Sequence, residues 1–168
     1  MKTVGIFYGS STGNTGDAAE AIKKELGNDN AEVFDVTDAK VEELNNFSNI
    51  ILGTSTWGSG DLQGDFEDFL ESIDTVDLSG KTVALFGMGD QESHGETYID
   101  SLAEVFDKVT KNGATIIGNT SSEGYEHENS EAEIDGSFVG LSLDDDNQSE
   151  LTEERITNWV KELKNKFQ

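Results

Sequence analysis

The chain has no cysteine and no proline, and only 11 of its 168 residues are basic. The absence of cysteine excludes disulfide bonds and metal sites built from thiolates. Without proline, the turns must depend on asparagine, aspartate, serine and the 18 glycines. No apolar run approaches the roughly 20 residues that cross a membrane, and the first residues enter a strand pattern without the apolar core of a signal peptide. We therefore expect a cytoplasmic protein.

Acidic residues dominate the charge, with 35 aspartates and glutamates and a formal net charge of −24. Such a surface repels nucleic acid and anionic membranes and favours basic protein partners. Apolar segments recur along the whole chain, so the high charge does not indicate disorder. The length predicts a single domain over residues 1–168, large enough to bury roughly 70% of the surface of its unfolded chain.

Short apolar runs alternate with helical patterns. The runs predict five strands at residues 4–8, 32–36, 49–53, 82–87 and 114–117. Apolar residues at helical spacing predict helices that begin near Gly16 and that cover residues 66–73, 98–109 and 156–167. Thr152 is the predicted N-cap of the last helix. Uninterrupted apolar strands alternating with helices predict a doubly wound α/β fold, with a parallel sheet and helices on both faces.

Residues 119–136 interrupt this pattern with a polar, acidic segment, which we call the excursion. A second strand-like run at residues 137–143 follows it, so the excursion is predicted to split the fifth strand. We interpret the excursion as a solvated surface loop, with a docking role as the alternative. His127, which lies within it, is interpreted as a polar surface residue.

Residues 9–15 read Gly-Ser-Ser-Thr-Gly-Asn-Thr and join the first strand to the first helix. A helix start offers unpaired N–H groups and the positive end of the helix dipole. Further donors are the hydroxyls of Ser10, Ser11, Thr12 and Thr15. No lysine or arginine lies between Lys2 and Lys23, which predicts a phosphate held by neutral donors, as in a resident cofactor. The segment matches neither the Walker motif nor the dinucleotide fingerprint, and an ordinary capped turn is the alternative.

Two more loops follow predicted strands. Trp57 lies in the glycine-rich segment 53–60 and does not belong to the periodic apolar face of a helix or strand. It is therefore predicted to stack on a flat ring. In segment 87–95, glycines allow a ligand to approach the backbone, and His94 is predicted to contact it. Asp90 there either accepts from ligand N–H groups or caps the turn. The segment Asp-Asp-Asp-Asn at residues 144–147 lacks the glycine and distal glutamate of a calcium loop, so no metal site is predicted.

Together, residues 9–15, 55–58, 87–91 and 138–148 resemble the corresponding segments of flavodoxins. The resemblance covers essentially the whole chain, and the excursion is similar to that of the long-chain members. It implies a flavodoxin-like fold with a five-stranded parallel sheet in the order 2-1-3-4-5. It also implies noncovalently bound FMN and low-potential transfer of single electrons between redox proteins, with no enzyme activity of its own.

The resemblance further implies where FMN would lie. Residues 10–15 would hold its phosphate, Trp57 one face of the ring, and the loop 87–95 the other face and the pyrimidine end. The implied binding residues are Ser10, Ser11, Thr12, Gly13, Asn14, Thr15, Thr54, Ser55, Thr56, Trp57, Gly58, Gly60, Gly87, Met88, Gly89, Asp90, His94 and Asp146. His94 stands where the family usually has tyrosine, and its smaller, titratable ring is expected to stack more weakly or with pH dependence. The carbonyl of Gly58 is expected to turn towards flavin N5.

Three other functions are alternatives to an electron carrier. A response-regulator receiver is excluded, because it needs acidic residues after the first strand and a phosphorylatable aspartate after the third. An FMN-dependent quinone reductase is the enzyme alternative, and a redox-inert FMN store is the third possibility. The acidic surface favours protein partners, namely a donor reductase or oxidoreductase and an acceptor with basic docking surfaces. Asp61 and Asp65 are the predicted docking residues of a monomer that binds neither nucleic acid nor membrane.

Overall fold

The structure is a computed structural model that describes residues 1–57 and 59–168. Its strands are β1 (Val4–Tyr8), β2 (Ala31–Asp35), β3 (Asn49–Trp57), β4 (Asp61–Leu62), β5 (Thr82–Met88), β6 (Thr115–Ile117), β7 (Thr120–Ser121), β8 (Glu133–Ile134), β9 (Ser137–Phe138) and β10 (Leu141–Leu143). Its α-helices are α1 (Asn14–Leu26), α2 (Gly64–Ser72), α3 (Ser101–Lys111) and α4 (Ser149–Lys164), with short 3₁₀ turns at Val41–Asn46, Ile73–Thr75 and Gly95–Thr97. In the part of the chain so described, no helix is long and apolar enough to cross a bilayer.

The main strands form one parallel sheet in the order β2-β1-β3-β5. Two short strands share the position beyond β5. Strand β6 pairs with the start of β5, from Thr82, and β10 pairs with its end, up to Met88. The predicted order 2-1-3-4-5 with a split fifth strand is therefore confirmed, β5 being the fourth predicted strand. The short β4 adds an antiparallel partner to the end of β3.

Helices cover both faces of this sheet. Helices α1 and α4 pack on one face, where Ile22 and Trp159 are buried with alternate side chains of the strands. Helices α2 and α3 pack on the other face through residues that include Phe66 and Leu102. All seven residues of β5 are buried, which explains why its sequence is a continuous apolar run rather than an alternating one.

The last helix begins earlier than its sequence suggests. Helix α4 starts at Ser149 after Gln148, so the prediction of Thr152 as N-cap is wrong. The reason lies in the preceding turn, where the Gln148 N–H donates to the Asp144 carbonyl over 2.8 Å and directs the chain into the helix. Thr152 lies within the helix, and its hydroxyl donates to a carboxylate oxygen of Asp145.

Most residues of the excursion are exposed, as its interpretation as a surface loop predicts, but that interpretation is wrong in one respect, because the excursion contains the short strands β7 and β8. It contributes to a small antiparallel sheet in the order β7-β9-β8. The side chain of His127 is only 8% exposed and lies 5.4 Å from the ring of Tyr98 and 5.2 Å from that of Phe138, measured between centroids. Its Nε2 is 2.8 Å from a carboxylate oxygen of Glu133. His127 is therefore a core residue of the excursion, and its interpretation as a surface residue is also wrong.

Candidate functional site

A cleft of about 220 Å³ opens where β1, β3 and β5 end. It is lined by Thr12, Asn14, Thr15, Ser55, Thr56, Trp57, Met88, Gly89, Asp90, His94, Asp145 and Asp146. In doubly wound folds, ligands bind outside the carboxyl ends of the strands, as here. The volume is small for a ligand pocket, so a flat ring in this cleft would keep one edge in solvent.

The cleft brings together eleven of the residues predicted to bind a cofactor. The predicted residues that do not line it are Ser10, Ser11, Gly13, Thr54, Gly60 and Gly87. Gly58 lies outside the described residues. The sequence reasoning missed Asp145, and the only signal for it was its position next to Asp146.

Several larger grooves lie elsewhere on the surface, and two of them have the greatest volumes. One, of about 580 Å³, separates the chain after β2 from α2, and the other, of about 630 Å³, runs between α1 and α4. Neither is lined by Trp57, by His94 or by a glycine. We identify the smaller cleft as the candidate site because the loops predicted to bind one ligand meet there, and not because of its volume.

The loop before α1 has the geometry of an anion cradle. Gly13 adopts a φ of +93°, and its N–H donates to the Ser10 hydroxyl over 2.9 Å. The first hydrogen bond inside the helix runs from the Asp17 N–H to the Gly13 carbonyl. The N–H groups of residues 14–16 come before this bond and are not used by the hydrogen bonds of the helix. Thr15 is 2% exposed and Thr12 is exposed, so the two hydroxyls lie at different depths of the same wall.

Trp57 forms one wall of the cleft from the end of β3. Its side chain is exposed, at 41%, and its indole N–H donates to the Ser55 hydroxyl over 2.7 Å. The next hydroxyl along the strand, that of Thr56, lies 2.6 Å from the hydroxyl of Ser101 in α3. Trp159, in contrast, is 2% exposed in the core. The structure thus separates the two tryptophans as their sequence contexts predict.

His94 also lines the cleft, in a loop organised by Asp90. One oxygen of Asp90 accepts hydrogen bonds from the N–H groups of Glu92 (3.1 Å) and Ser93 (2.9 Å) and from the amide of Asn147 (2.8 Å). The His94 N–H donates to the Asp90 carbonyl over 3.0 Å. Partial burial raises the pKa of Asp90, but these hydrogen bonds outweigh burial and hold the pKa below its usual value. Asp90 therefore caps the turn with one of its oxygens.

The remaining side of the cleft is acidic. The pKa of Asp146 is raised, first by burial and then by repulsion from Asp90, Asp144 and Asp145. Asp144 is fully buried, and residues 145–147 form a turn. The carboxylate of Asp146 is thus held close to other negative charges beside the cleft.

Comparison with known proteins identifies the family. The sequence model of the family described as Flavodoxin matches residues 6–159. The chain belongs to the flavodoxin family. It is 46% identical to a flavodoxin of Trichodesmium erythraeum and 42% identical to one of Helicobacter pylori, over 99% of each chain in both cases. A crystal structure of Fusobacterium nucleatum flavodoxin bound to flavin mononucleotide covers 100% of both chains with a TM-score of 0.94 and 36% identity.

Proposed function

We propose that the chain binds FMN noncovalently in this cleft and carries single electrons at low potential between redox proteins. The observation that supports this is the convergence of a phosphate cradle, an exposed Trp57 and the His94 loop on one small cleft. The Fusobacterium nucleatum flavodoxin, with the same fold, is a complex with FMN. The binding residues predicted from the sequence are proposed as its contacts.

The donor set of the cradle suits the phosphate of FMN. The start of α1 supplies backbone N–H groups, and Thr12 and Thr15 supply hydroxyls, all of which donate to an anion without carrying charge. The positive end of the helix dipole adds a favourable field within the first turn. A phosphate held in this way is bound but not activated for transfer.

The walls of the cleft suit a flat heteroaromatic ring. Trp57 offers a large face that its bond to Ser55 orients, and His94 offers a smaller one across the cleft. Between them, Gly89 exposes backbone at the end of β5. FMN, when bound, supplies the one-electron chemistry, and these residues bind and orient it while leaving one edge accessible to a partner.

The experiment that tests this proposal is stepwise reduction. The purified protein, reconstituted with FMN, is reduced with dithionite while its visible spectrum is recorded. We expect the one-electron-reduced state to accumulate as a long-lived species, and we expect no turnover of quinone with NAD(P)H. Direct two-electron reduction together with quinone turnover would instead establish the reductase alternative.

We infer that the partners dock on the acidic surface beside Trp57. Asp61 is exposed in β4, and Asp65 is exposed at the start of α2. Glu104 lies close to other negative charges: its pKa is raised first by burial and then by repulsion from Glu67 and Asp61. Opposite charges on a partner would accelerate encounter, and salt would screen that effect.

Substitution of a single charge tests this docking surface. Asp61→Asn should slow electron transfer to a basic reductase at low salt and weaken the salt dependence of the rate. Asp29→Asn removes the same charge from the amino-terminal edge of the sheet and serves as the control. Equal effects of the two substitutions, or a parent rate independent of ionic strength, would contradict the docking proposal.

We also infer that residues 1–168 act as one domain, because a single sheet carries the cores on both of its faces. A monomer is proposed because the cleft is complete within one chain. The cytoplasmic location and the absence of membrane and nucleic-acid partners stay predictions from the sequence.

A further inference from the structure

Gln91, which directly follows Asp90, is buried behind the His94 wall and is only 3% exposed. Its backbone N–H and its side-chain amide N–H both donate to one oxygen of Asp144, over 3.0 and 2.8 Å. Its side-chain carbonyl accepts the N–H of Glu126 over 2.5 Å. One side chain therefore joins the His94 loop, the turn before α4 and the excursion.

Asp144 is the buried anchor of this network. Its carboxylate is fully buried and accepts five N–H groups, two from Gln91, two from Asn147 and one from Asp146. A buried carboxylate is tolerated only when its oxygens are well supplied with donors. The Asn147 amide also donates to Asp90, so the network returns to the wall of the cleft.

The excursion holds the same loop at a second place. The N–H groups of Glu128 and Asn129 both donate to the Gly95 carbonyl over 2.9 Å. The Tyr98 N–H in turn donates to the Asn129 carbonyl over 3.2 Å. His94 therefore lies between two points at which the excursion contacts its loop, one at Gln91 and one at Gly95.

The two walls of the cleft differ in what fixes them. Trp57 ends a nine-residue strand and is paired there with Asp61 of β4. His94 lies in an irregular loop, where side-chain bonds and the excursion replace strand pairing. We propose that Gln91 is a positioning residue that links the excursion to this loop and thereby fixes the His94 wall of the cleft. The FMN measurements that test it rest on the proposed function, whereas the measurement on the apoprotein does not.

The test compares two glutamines that both hold the excursion. Gln91→Met keeps the length of the side chain and removes its bonds to Asp144 and Glu126. Gln148→Met is the matched control, because the Gln148 side chain bonds Gly124 of the excursion (3.1 Å) but connects it to α4 rather than to the His94 loop. Amide hydrogen exchange of the apoprotein is measured at residues 92–97, together with the FMN dissociation constant in each oxidation state and the free energy of unfolding.

In Gln91→Met we expect amide exchange at residues 92–97 to be faster by about tenfold, and FMN to bind about tenfold more weakly, since at least one buried hydrogen bond is lost. In Gln148→Met both quantities should stay within about twofold of the parent. Unchanged exchange at residues 92–97 in Gln91→Met, with only a lower free energy of unfolding, would overturn the proposal and leave Gln91 a purely structural residue.

A second variant covers the case in which Gln91→Met does not fold. Gln91→Asn keeps an amide near Asp144 but is too short to reach Glu126, and it should also accelerate exchange at residues 92–97. If this variant exchanges like the parent, the link to the excursion does not position the loop. If the parent itself fails to bind FMN, the proposed function fails, while the exchange data still decide the role of Gln91.

Discussion

Removal of the two cleft hydroxyls of the cradle tests the proposal that the chain holds the phosphate of FMN without a cation. Thr12 and Thr15 line the cleft, and no lysine or arginine lies between Lys2 and Lys23. The double variant Thr12→Ala/Thr15→Ala removes two neutral donors and leaves the backbone N–H groups of α1 in place. Any loss of affinity therefore reports on the hydroxyls alone.

The expected magnitude follows from the strength of hydrogen bonds to a charged acceptor. Each contributes about 1.5–3 kcal/mol, and about 1.4 kcal/mol corresponds to a tenfold change in the dissociation constant. Thr12 and Thr15 lie on one wall and share a single acceptor group, so their contributions are not additive. Water will also replace part of the lost bonding at Thr12, which is exposed. We expect FMN to bind at least about tenfold more weakly.

Riboflavin provides the matched ligand, because it has the ring and the ribityl chain of FMN without the phosphate. Both flavins are titrated by fluorescence into the parent and into the double variant, with Thr157→Ala, an exposed threonine of α4, as the protein control. Riboflavin affinity should stay within about twofold, and thermal unfolding of the apoprotein verifies the fold. Parent-like FMN affinity, or an equal loss for both flavins, would refute the assignment of this loop to the phosphate.

Three further predictions concern single residues. Asp146→Asn should stabilise the apoprotein at neutral pH, because the raised pKa of Asp146 means that the folded state disfavours its carboxylate. The gain in stability should vanish in acid, where the parent side chain is neutral, and a gain that grew in acid in thermal unfolding would contradict this. Gly13→Ala should lower the free energy of unfolding in urea by about 1–2 kcal/mol, because Gly13 has a φ of +93°, although no atom lies within 4 Å of the new Cβ. Gly64→Ala, a control at an equally open position in α2, should raise it by up to about 1 kcal/mol, and equal effects of the two substitutions would count against backbone strain. His94→Tyr should bind FMN more tightly, by about 0.5–1.5 kcal/mol in an equilibrium titration, and an unchanged affinity would mean that His94 does not stack.

The parts of the fold that the sequence predicts are those with a local cause. Strands β1, β3 and β5 are largely buried between helices on both faces, so each contains an apolar run, at residues 4–8, 50–53 and 83–88, that is visible without a structure. The cleft is also predictable, since parallel strands bring their carboxyl ends to one edge of the sheet. For this reason the segments around Thr12, Trp57 and His94 meet as expected.

The contacts that the sequence does not predict join residues far apart in the chain. Gln91 and Asp144 are 53 positions apart, and neither periodicity nor composition connects them. The core of the excursion contains isolated aromatic residues, such as Tyr125, that cluster only after the chain folds back on Tyr98. Thr152 shows the same limit in another way, because a buried contact of the preceding turn, not the local cap preference, sets the start of α4.

The net charge of −24 acts on the cofactor and on the partners in opposite directions. It repels the phosphate of FMN at long range, where screening has a length of about 10 Å at 0.1 M salt. The N–H groups and hydroxyls of the cradle act at hydrogen-bond distance, well inside the screening length, so salt weakens their contacts less than it weakens the long-range repulsion. Added salt should therefore strengthen binding of FMN, whereas it should weaken the proposed docking of a basic partner beside Trp57. A cradle of neutral N–H groups and hydroxyls is compatible with both proposed roles, because it supplies donors to a phosphate without adding positive charge to the acidic surface.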